Sequence, residues 1–370
     1  MEDLTNDVAA LSIEKKNLGQ FYTTNADKIL KNMIIPESIT SITSITSITS
    51  ITSITSITSI IEPFAGNMDL ANWAKAATNI EPECYDIAPQ NEQTIKRDTL
   101  LNPIQYKETD YVITNPPYLA RNKSSDKTLY DMYDVNDLYK CFIKTLIASS
   151  PCGGIMIIPL NFLCSIRRAD CELRQEFLSK FKITASNIFE EQVFHDTTYA
   201  VVAIQFEKHP TPTHTIPCTI YPINKSLTLS LTNWMINGEI YDLPQSNYIF
   251  GRATNHTSHP FPISFTNIVM KCIDDTTKIC LFKSNDIKYI DNTAKQSARS
   301  YALLTCTPHL TENQQSILIS SFNTFIAQKR KHHSLFLSNY RDGASARKRI
   351  SFSLGFQICS YLMRDTDSSS

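Results

Sequence analysis

Hydrophobic and polar positions divide the chain into two stretches of different texture. Over the first 210 residues, short apolar runs alternate with segments of helical period, which reads as β/α alternation and an α/β fold. Helices are expected at 26–34, 69–77, 137–148 and 170–181. Strands are expected to end at Ile61 and to span 83–86, 110–114, 155–158, 183–189 and 200–206. HPTPTHTIP (209–217) then interrupts the pattern with three prolines in nine residues, and a domain boundary is expected there. The remainder is rich in Asn, Ser and Thr, with weak periodicity.

One segment fits neither texture. From Ser38 to Thr58 the triplet Ser-Ile-Thr occurs seven times in succession. A period of three matches neither strand nor helix, so 38–60 reads as a low-complexity insertion in a surface loop, its last copy running into the strand that ends at Ile61. The expected organisation is an N-terminal segment 1–37, the insertion 38–60, a catalytic domain 61–208 and a C-terminal region 209–370.

Composition narrows this picture. A net charge of −1 gives no global attraction to nucleic acid, but seven of the residues from Ala327 to Ile350 are Lys or Arg, with Phe336 and Tyr340 between them. That patch suits either nucleic-acid contact or a solvated helix face. Ten scattered cysteines without a CxxC pair point to reduced thiols and no zinc site, so no metal is expected. The acidic start and the lack of a long apolar run suggest an intracellular, cytoplasmic protein. Glycine is scarce, at eight residues, so Gly19, Gly66 and the Gly153-Gly154 pair each mark places where a Cβ would not fit.

The candidate chemistry lies at strand ends, where open α/β sheets bind ligands. Glu62-Pro63-Phe64-Ala65-Gly66 follows the first strand, Asp86 ends the second, and Asp98 follows in KRDTL. A carboxylate at Asp86 suits a ribose diol, and one at Asp98 suits an adenine amine. Together they point to a nucleoside pocket. Asn115-Pro116-Pro117-Tyr118 ends the strand 110–114. Proline restricts the residue before it and fixes its own φ. The Asn115 side-chain oxygen and the Pro116 carbonyl thus become stiff paired acceptors for a planar NH₂ group, and Tyr118 offers a face for stacking a base. The loop ARNKSSDK (120–127), with three basic residues, suits either a nucleic-acid backbone contact or solvent.

These residues resemble the N6-adenine DNA methyltransferases of restriction–modification systems, in the gamma arrangement, and among them those of large algal viruses. The likeness covers most of 19–206 and a stretch near NYRDGASARKRISF. It implies a doubly wound, seven-stranded Rossmann-like domain that binds S-adenosylmethionine, with a C-terminal target-recognition lobe. In GQFYTT it implies that Thr23 holds the methionine end of the cofactor. It assigns Glu62, Phe64, Gly66, Asp86 and Asp98 to the cofactor and Asn115, Pro116 and Tyr118 to catalysis. In EEQVFHDTTYAVVAIQF it gives Phe194 the far face of a flipped adenine, and PLNFLCS resembles a scaffold motif. Duplex DNA is the implied partner, with a cognate endonuclease acting on the same site, and the implied state is a monomer. Met68 departs from the family, which usually has a second glycine there, and this puts close approach of the loop to the cofactor in question. Methylation of a release-factor glutamine or of RNA, and a decayed DNA-binding relative, are the rival readings.

Overall fold

The structure, a computed structural model, describes residues 19, 23–42, 52–194, 200–236, 240, 242–254, 264–274, 277–290, 300–331, 338–342 and 345–364. Contacts divide the chain into two compact units, Met1–Ile236 and Asn237–Ser370.

The first unit begins with a short helix α1 (Ala26–Ile29) and a separate antiparallel hairpin, β1 (Ser38–Ile42) and β2 (Thr52–Ser56). The helix is shorter than expected: Leu30 caps it, and Asn32 turns the chain at a φ of 63°. The hairpin lies within the Ser-Ile-Thr repeat, and its neck is closed by Ile57 N–H donating to the Glu37 carbonyl at 3.3 Å. Residues 43–51 of the repeat lie outside the described residues.

A ten-stranded sheet follows, with alternating helices. Its strands are β3 (Ser59–Glu62), β4 (Glu83–Asp86), β5 (Ile95–Lys96), β6 (Asp110–Thr114), β7 (Gly153–Pro159), β8 (Phe181–Phe189), β9 (Val201–Lys208), β10 (Thr215–Tyr221), β11 (Lys225–Thr232) and β12 (Met235–Ile236). Between them run α2 (Asp69–Thr78), α3 (Thr128–Tyr133), α4 (Leu138–Ser149), α5 (Asn161–Cys164) and α6 (Arg168–Leu178). The spatial order is β12-β11-β10-β8-β9-β7-β6-β3-β4-β5. Strands β3 to β7 pair in parallel, and β9 runs antiparallel between β7 and β8. The chain reverses its direction of travel across the sheet at β3, with β4 on one side and β6 on the other. Such a switch point leaves a crevice at the carboxyl ends of the flanking strands.

Continuous apolar runs build the centre of this sheet. Every residue of β6 and β7 is buried, as strands covered on both faces require. Gly154 answers to that packing. A Cβ there would stand 2.3 Å from the Val112 carbonyl oxygen and 2.8 Å from the Phe206 ring. On α2, Leu70, Ala71 and Ala74 are buried; on α4, Phe142, Ile143 and Leu146 are among the buried residues.

The expected α/β sheet is present, with ten strands where seven were expected and two further differences. Phe181 begins β8 and does not end a helix, since α6 stops at Leu178. The proline-rich segment does not end the unit either. Its last three residues already belong to β10, which pairs in parallel with β8 and antiparallel with β11, so the same sheet continues to Ile236.

The second unit has its own core. Strands β13 (Ile249–Arg252), β14 (Ser264–Lys271), β15 (Cys280–Lys283) and β16 (Tyr301–Thr307) form an antiparallel sheet in the order β13-β16-β14-β15. Helices α7 (Glu312–Lys331) and α8 (Phe352–Met363) pack Leu318, Phe322, Leu354 and Ile358 into one apolar cluster with Met270 and Leu304. Ser351 caps α8 by accepting from Leu354 N–H at 3.1 Å. Of the basic patch, Arg330 makes a two-pronged pair with Asp274, at 2.8 and 2.6 Å. Arg341, Arg347, Lys348 and Arg349 fall on a hairpin of β17 (Ser338–Asp342) and β18 (Ser345–Arg349). Phe336 lies outside the described residues. None of the ten cysteines, all among the described residues, forms a disulfide. No helix among the described residues is long and apolar enough to cross a membrane.

Candidate active site

A cavity of about 370 Å³ opens at the carboxyl ends of β3, β4, β5 and β6, beside the switch point. Thr23, Glu62, Phe64, Gly66, Asp86, Asp98 and Asn115, all expected from sequence, line it. Pro116, Tyr118 and Phe194 do not; all three are buried.

The loop after β3 is tied down by its neighbours. Ala65 N–H donates to the Tyr85 carbonyl at 2.8 Å, and Thr99 Oγ1 donates to the Pro63 carbonyl at 3.0 Å. Gly66 N–H donates to Asp86 Oδ2 at 2.9 Å, while Ala88 N–H donates to Asp86 Oδ1 at 2.8 Å. Asp86 therefore braces the loop after β3. An ionised carboxylate has about four acceptor sites, so ribose hydroxyls still find acceptors there. Asp98 accepts the Leu100 and Leu101 N–H groups through Oδ1, at 3.0 and 2.9 Å, which fixes its turn.

Glu62 is 2% exposed and its Oε2 has no hydrogen-bond partner. Burial holds its carboxyl well above the usual range, and the nearby Asp69 and Asp86 charges push the same way. A buried acid with an unmet acceptor calls for a proton or a cationic ligand.

Met68 bears on the question raised by the missing glycine. It adopts φ 69°, the left-handed conformation that favours glycine, at the start of α2. Its side chain lies away from the cavity, in a cluster with Ala65, Ala71 and Cys84, where Thr94 Oγ1 donates to its sulfur at 3.3 Å. The backbone takes the shape a glycine would give, and the side chain does not obstruct the cavity.

Gly19 connects the N-terminal motif to the catalytic turn. Its carbonyl accepts Tyr118 N–H at 2.8 Å, and a Cβ on Gly19 would stand 2.8 Å from the Tyr118 carbonyl oxygen. Its φ of 68° adds a second reason for glycine. Thr23 is thereby brought to Asn115, whose Nδ2 donates to Thr23 Oγ1 at 3.2 Å.

The stacking role expected of Tyr118 is not available in this structure. The ring is 2% exposed and packs edge-on against Tyr139, with centroids 6.3 Å apart. Its hydroxyl lies 2.5 Å from Asn115 Oδ1 and 2.6 Å from the Ile157 carbonyl, and its single proton serves one of the two contacts at a time. Burial raises the pKa of this phenol, so it remains a donor. Phe194 is likewise 2% exposed. Residues 195–199 of its motif lie outside the described residues. Aromatic identity gave no means of telling an enclosed ring from a presented one.

Sequence reasoning missed the apolar walls, among them Ile87, Leu100 and Leu138, because such residues read as ordinary core. It also missed the turn of the loop after the catalytic motif toward the cavity. Ser124, Ser125 and Asp126 line the cavity, Lys127 Nζ donates to the carbonyls of Arg121 and Ser124, and Arg121 pairs with Asp131 at 2.5 Å. Two of the three basic residues in that loop thus brace the protein itself.

With this geometry in view, the family comparison becomes specific. Residues 43–194 match the Eco57I restriction-modification methylase family. No curated protein sequence matches the chain. Among solved structures, similarity extends to a modification subunit assigned to a type I restriction enzyme of Vibrio vulnificus YJ016. There the TM-score is 0.41 and identity 13%, over 59% of this chain and 50% of that one. A type I methyltransferase subunit of Streptococcus thermophilus gives 0.36 and 14%, over 47% and 44%. The M protein of EcoKI gives 0.32 and 13%, over 44% of each. The chain spans half or less of the length of these proteins, and likeness at this level says nothing about substrate.

The cavity residues fit S-adenosylmethionine, and all of them but Thr23 lie within the stretch 43–194 that matches the methylase family. Carboxylates at Asp86 and Asp98 have the chemistry to accept from ribose hydroxyls and an adenine amine. The unmet Glu62 oxygen suits the cationic amino-acid end.

Proposed function

We propose that the chain is a site-specific DNA methyltransferase that methylates the N6 amino group of an adenine extruded from duplex DNA. The observation that carries this reading is Asn115, at the end of β6, in the same cavity as Glu62, Asp86 and Asp98. Bound S-adenosylmethionine supplies an electrophilic methyl group on a sulfonium. Asn115 Oδ1 and the Pro116 carbonyl accept the two amino hydrogens of the incoming base. Accepting both draws the nitrogen lone pair out of conjugation with the ring and directs it at the methyl group. No strong base is needed, since the proton is lost after the nitrogen has gained a methyl group and a positive charge.

The match to a restriction-modification methylase family favours DNA as the substrate. The second unit, with its basic hairpin, is the proposed site of target recognition, and its Lys and Arg contacts to phosphates should weaken with salt. A cognate endonuclease reading the same site and a monomeric state belong to the same proposal.

Incubation with labelled cofactor and unmethylated duplex DNA, RNA or a release factor tests the proposal. Label is expected in the DNA, recovered as N6-methyladenine, and Asn115→Ala should abolish it while still binding cofactor. Label in RNA or in a release-factor glutamine would overturn the assignment, as would full activity of the variant.

A further inference from the structure

Charge is unevenly distributed around the cavity. Glu62, Asp69, Asp86, Asp98 and Asp126 line it, against one base among the described lining residues, Arg97. The Arg97 guanidinium is taken up by its own turn, donating to the Asn102 and Pro103 carbonyls at 3.0 and 3.1 Å. Asp86 and Asp98 each accept two backbone N–H groups. Asp126 lies exposed, its Oδ1 accepting from Thr128. Glu62 and Asp69 are placed differently. Glu62 is 2% exposed, and no donor reaches its Oε2. Asp69 stands close enough for its negative charge to act on the Glu62 carboxyl.

Asp69 is half-buried at the first position of α2, where Asn67 and Leu70 also line the cavity. A helix start by itself favours an anionic ligand, because its free N–H groups carry partial positive charge. A carboxylate at that position reverses the preference. With Glu62 beside it, this corner of the cavity favours a cation.

S-adenosylmethionine and the product left after methyl transfer differ in this respect. The sulfonium becomes a neutral thioether, so S-adenosylhomocysteine carries one positive charge fewer. Its ribose, adenine and amino-acid end are unchanged. At an effective dielectric constant of about 20, one unit charge about 10 Å away alters an equilibrium on the order of tenfold.

We infer that Asp69 is a specificity-determining residue that, with Glu62, makes the cavity hold the sulfonium form of the cofactor in preference to its thioether product. The inference rests on the cofactor of the function proposed above, and not on which molecule accepts the methyl group. It gives a role to a carboxylate that sequence did not single out.

Calorimetry on the full chain with S-adenosylmethionine, S-adenosylhomocysteine and sinefungin tests it. Sinefungin has an ammonium-bearing carbon in place of the sulfonium. At low salt the two cationic ligands are expected to bind about tenfold more tightly than S-adenosylhomocysteine. The gap should narrow as salt rises. Asp69→Asn, which keeps the shape and removes the charge, should cut the ratio severalfold, and Asp69→Glu should restore it. Equal affinity of the wild type for the sulfonium and thioether ligands would overturn the inference, and that comparison needs no variant to fold. An unchanged ratio in Asp69→Asn would overturn it too, as would an equal loss of all three ligands, which marks a structural residue. Wild-type protein that binds none of the three would defeat the inference and the proposed function together. Methyl label found in RNA would defeat the function alone and leave the ratio standing.

Discussion

Asp137 begins α4 beside the cavity wall, 8% exposed, with an Oδ1 that no donor reaches. Burial pushes its carboxyl up to about 7 from an ordinary 3.8, against the pull of Lys140. A carboxyl that holds its proton more tightly when folded makes stability fall as pH rises between the unfolded and folded values. Cofactor-free protein is thus expected to lose stability from about pH 4 to about pH 7, with Glu62 acting in the same direction. Asp137→Asn should flatten that slope and be the more stable protein above pH 7. Urea midpoints across a pH series check this, and equal slopes for variant and wild type would contradict it. Asp137 was not singled out in the sequence, because an Asp before a helix usually reads as an ordinary cap. The strand-end acids were legible for the opposite reason: Glu62, Asp86 and Asp98 recur at the positions where α/β sheets bind ligands. Tyr118 and Phe194 were legible as residues and not as roles, since burial of a ring depends on packing from distant segments.

Among the elements, the hairpin of β1 and β2 is the most separable. It forms its own two-stranded sheet, and none of its residues lines the cavity. Replacing 40–54 with Asn-Gly, which favours a tight two-residue turn, should leave cofactor affinity and methyl transfer unchanged. Loss of cofactor binding on calorimetry would show that the repeat supports the loop after β3. The central strands were readable because both faces are buried and their sequences are apolar throughout. Strands β5, β10 and β11 escaped. β5 is two exposed residues, Ile95 and Lys96, with no pattern to read. β10 and β11 mix Thr and Ser with partly buried positions, so their alternation is blurred. Pro210 and Pro212 just before β10, and Pro217 within it, suggested a boundary; yet a proline is compatible with continued pairing at a strand's approach or, like Pro217, where only one neighbouring strand pairs with it.

For the molecule as a whole, the division at Ile236 separates the cavity from the C-terminal sheet. Every residue lining the cavity lies in the first unit. Expressed alone, 1–236 should bind S-adenosylmethionine with the affinity of the full chain, measured by calorimetry, and fail to capture duplex DNA in a mobility assay. Retained sequence-specific capture would remove target recognition from the second unit. The existence of a second unit was legible from the change in texture. Its core was not, because Phe322, Leu354 and Ile358 meet only after the intervening strands have brought two helices together.

The pairing inside the Ser-Ile-Thr hairpin carries a consequence for how such a chain can change over generations. Ser38 lies opposite Ser56 and Ser41 opposite Ser53, while Ile39, Thr40 and Ile42 lie opposite Thr55, Ile54 and Thr52. A gain or loss of whole triplets restores those same matches, and the Glu37–Ile57 neck is left as it was. Copy number is therefore free to drift in the gene, since a slipped replication event lengthens or shortens this arm without displacing the strand that delivers Glu62.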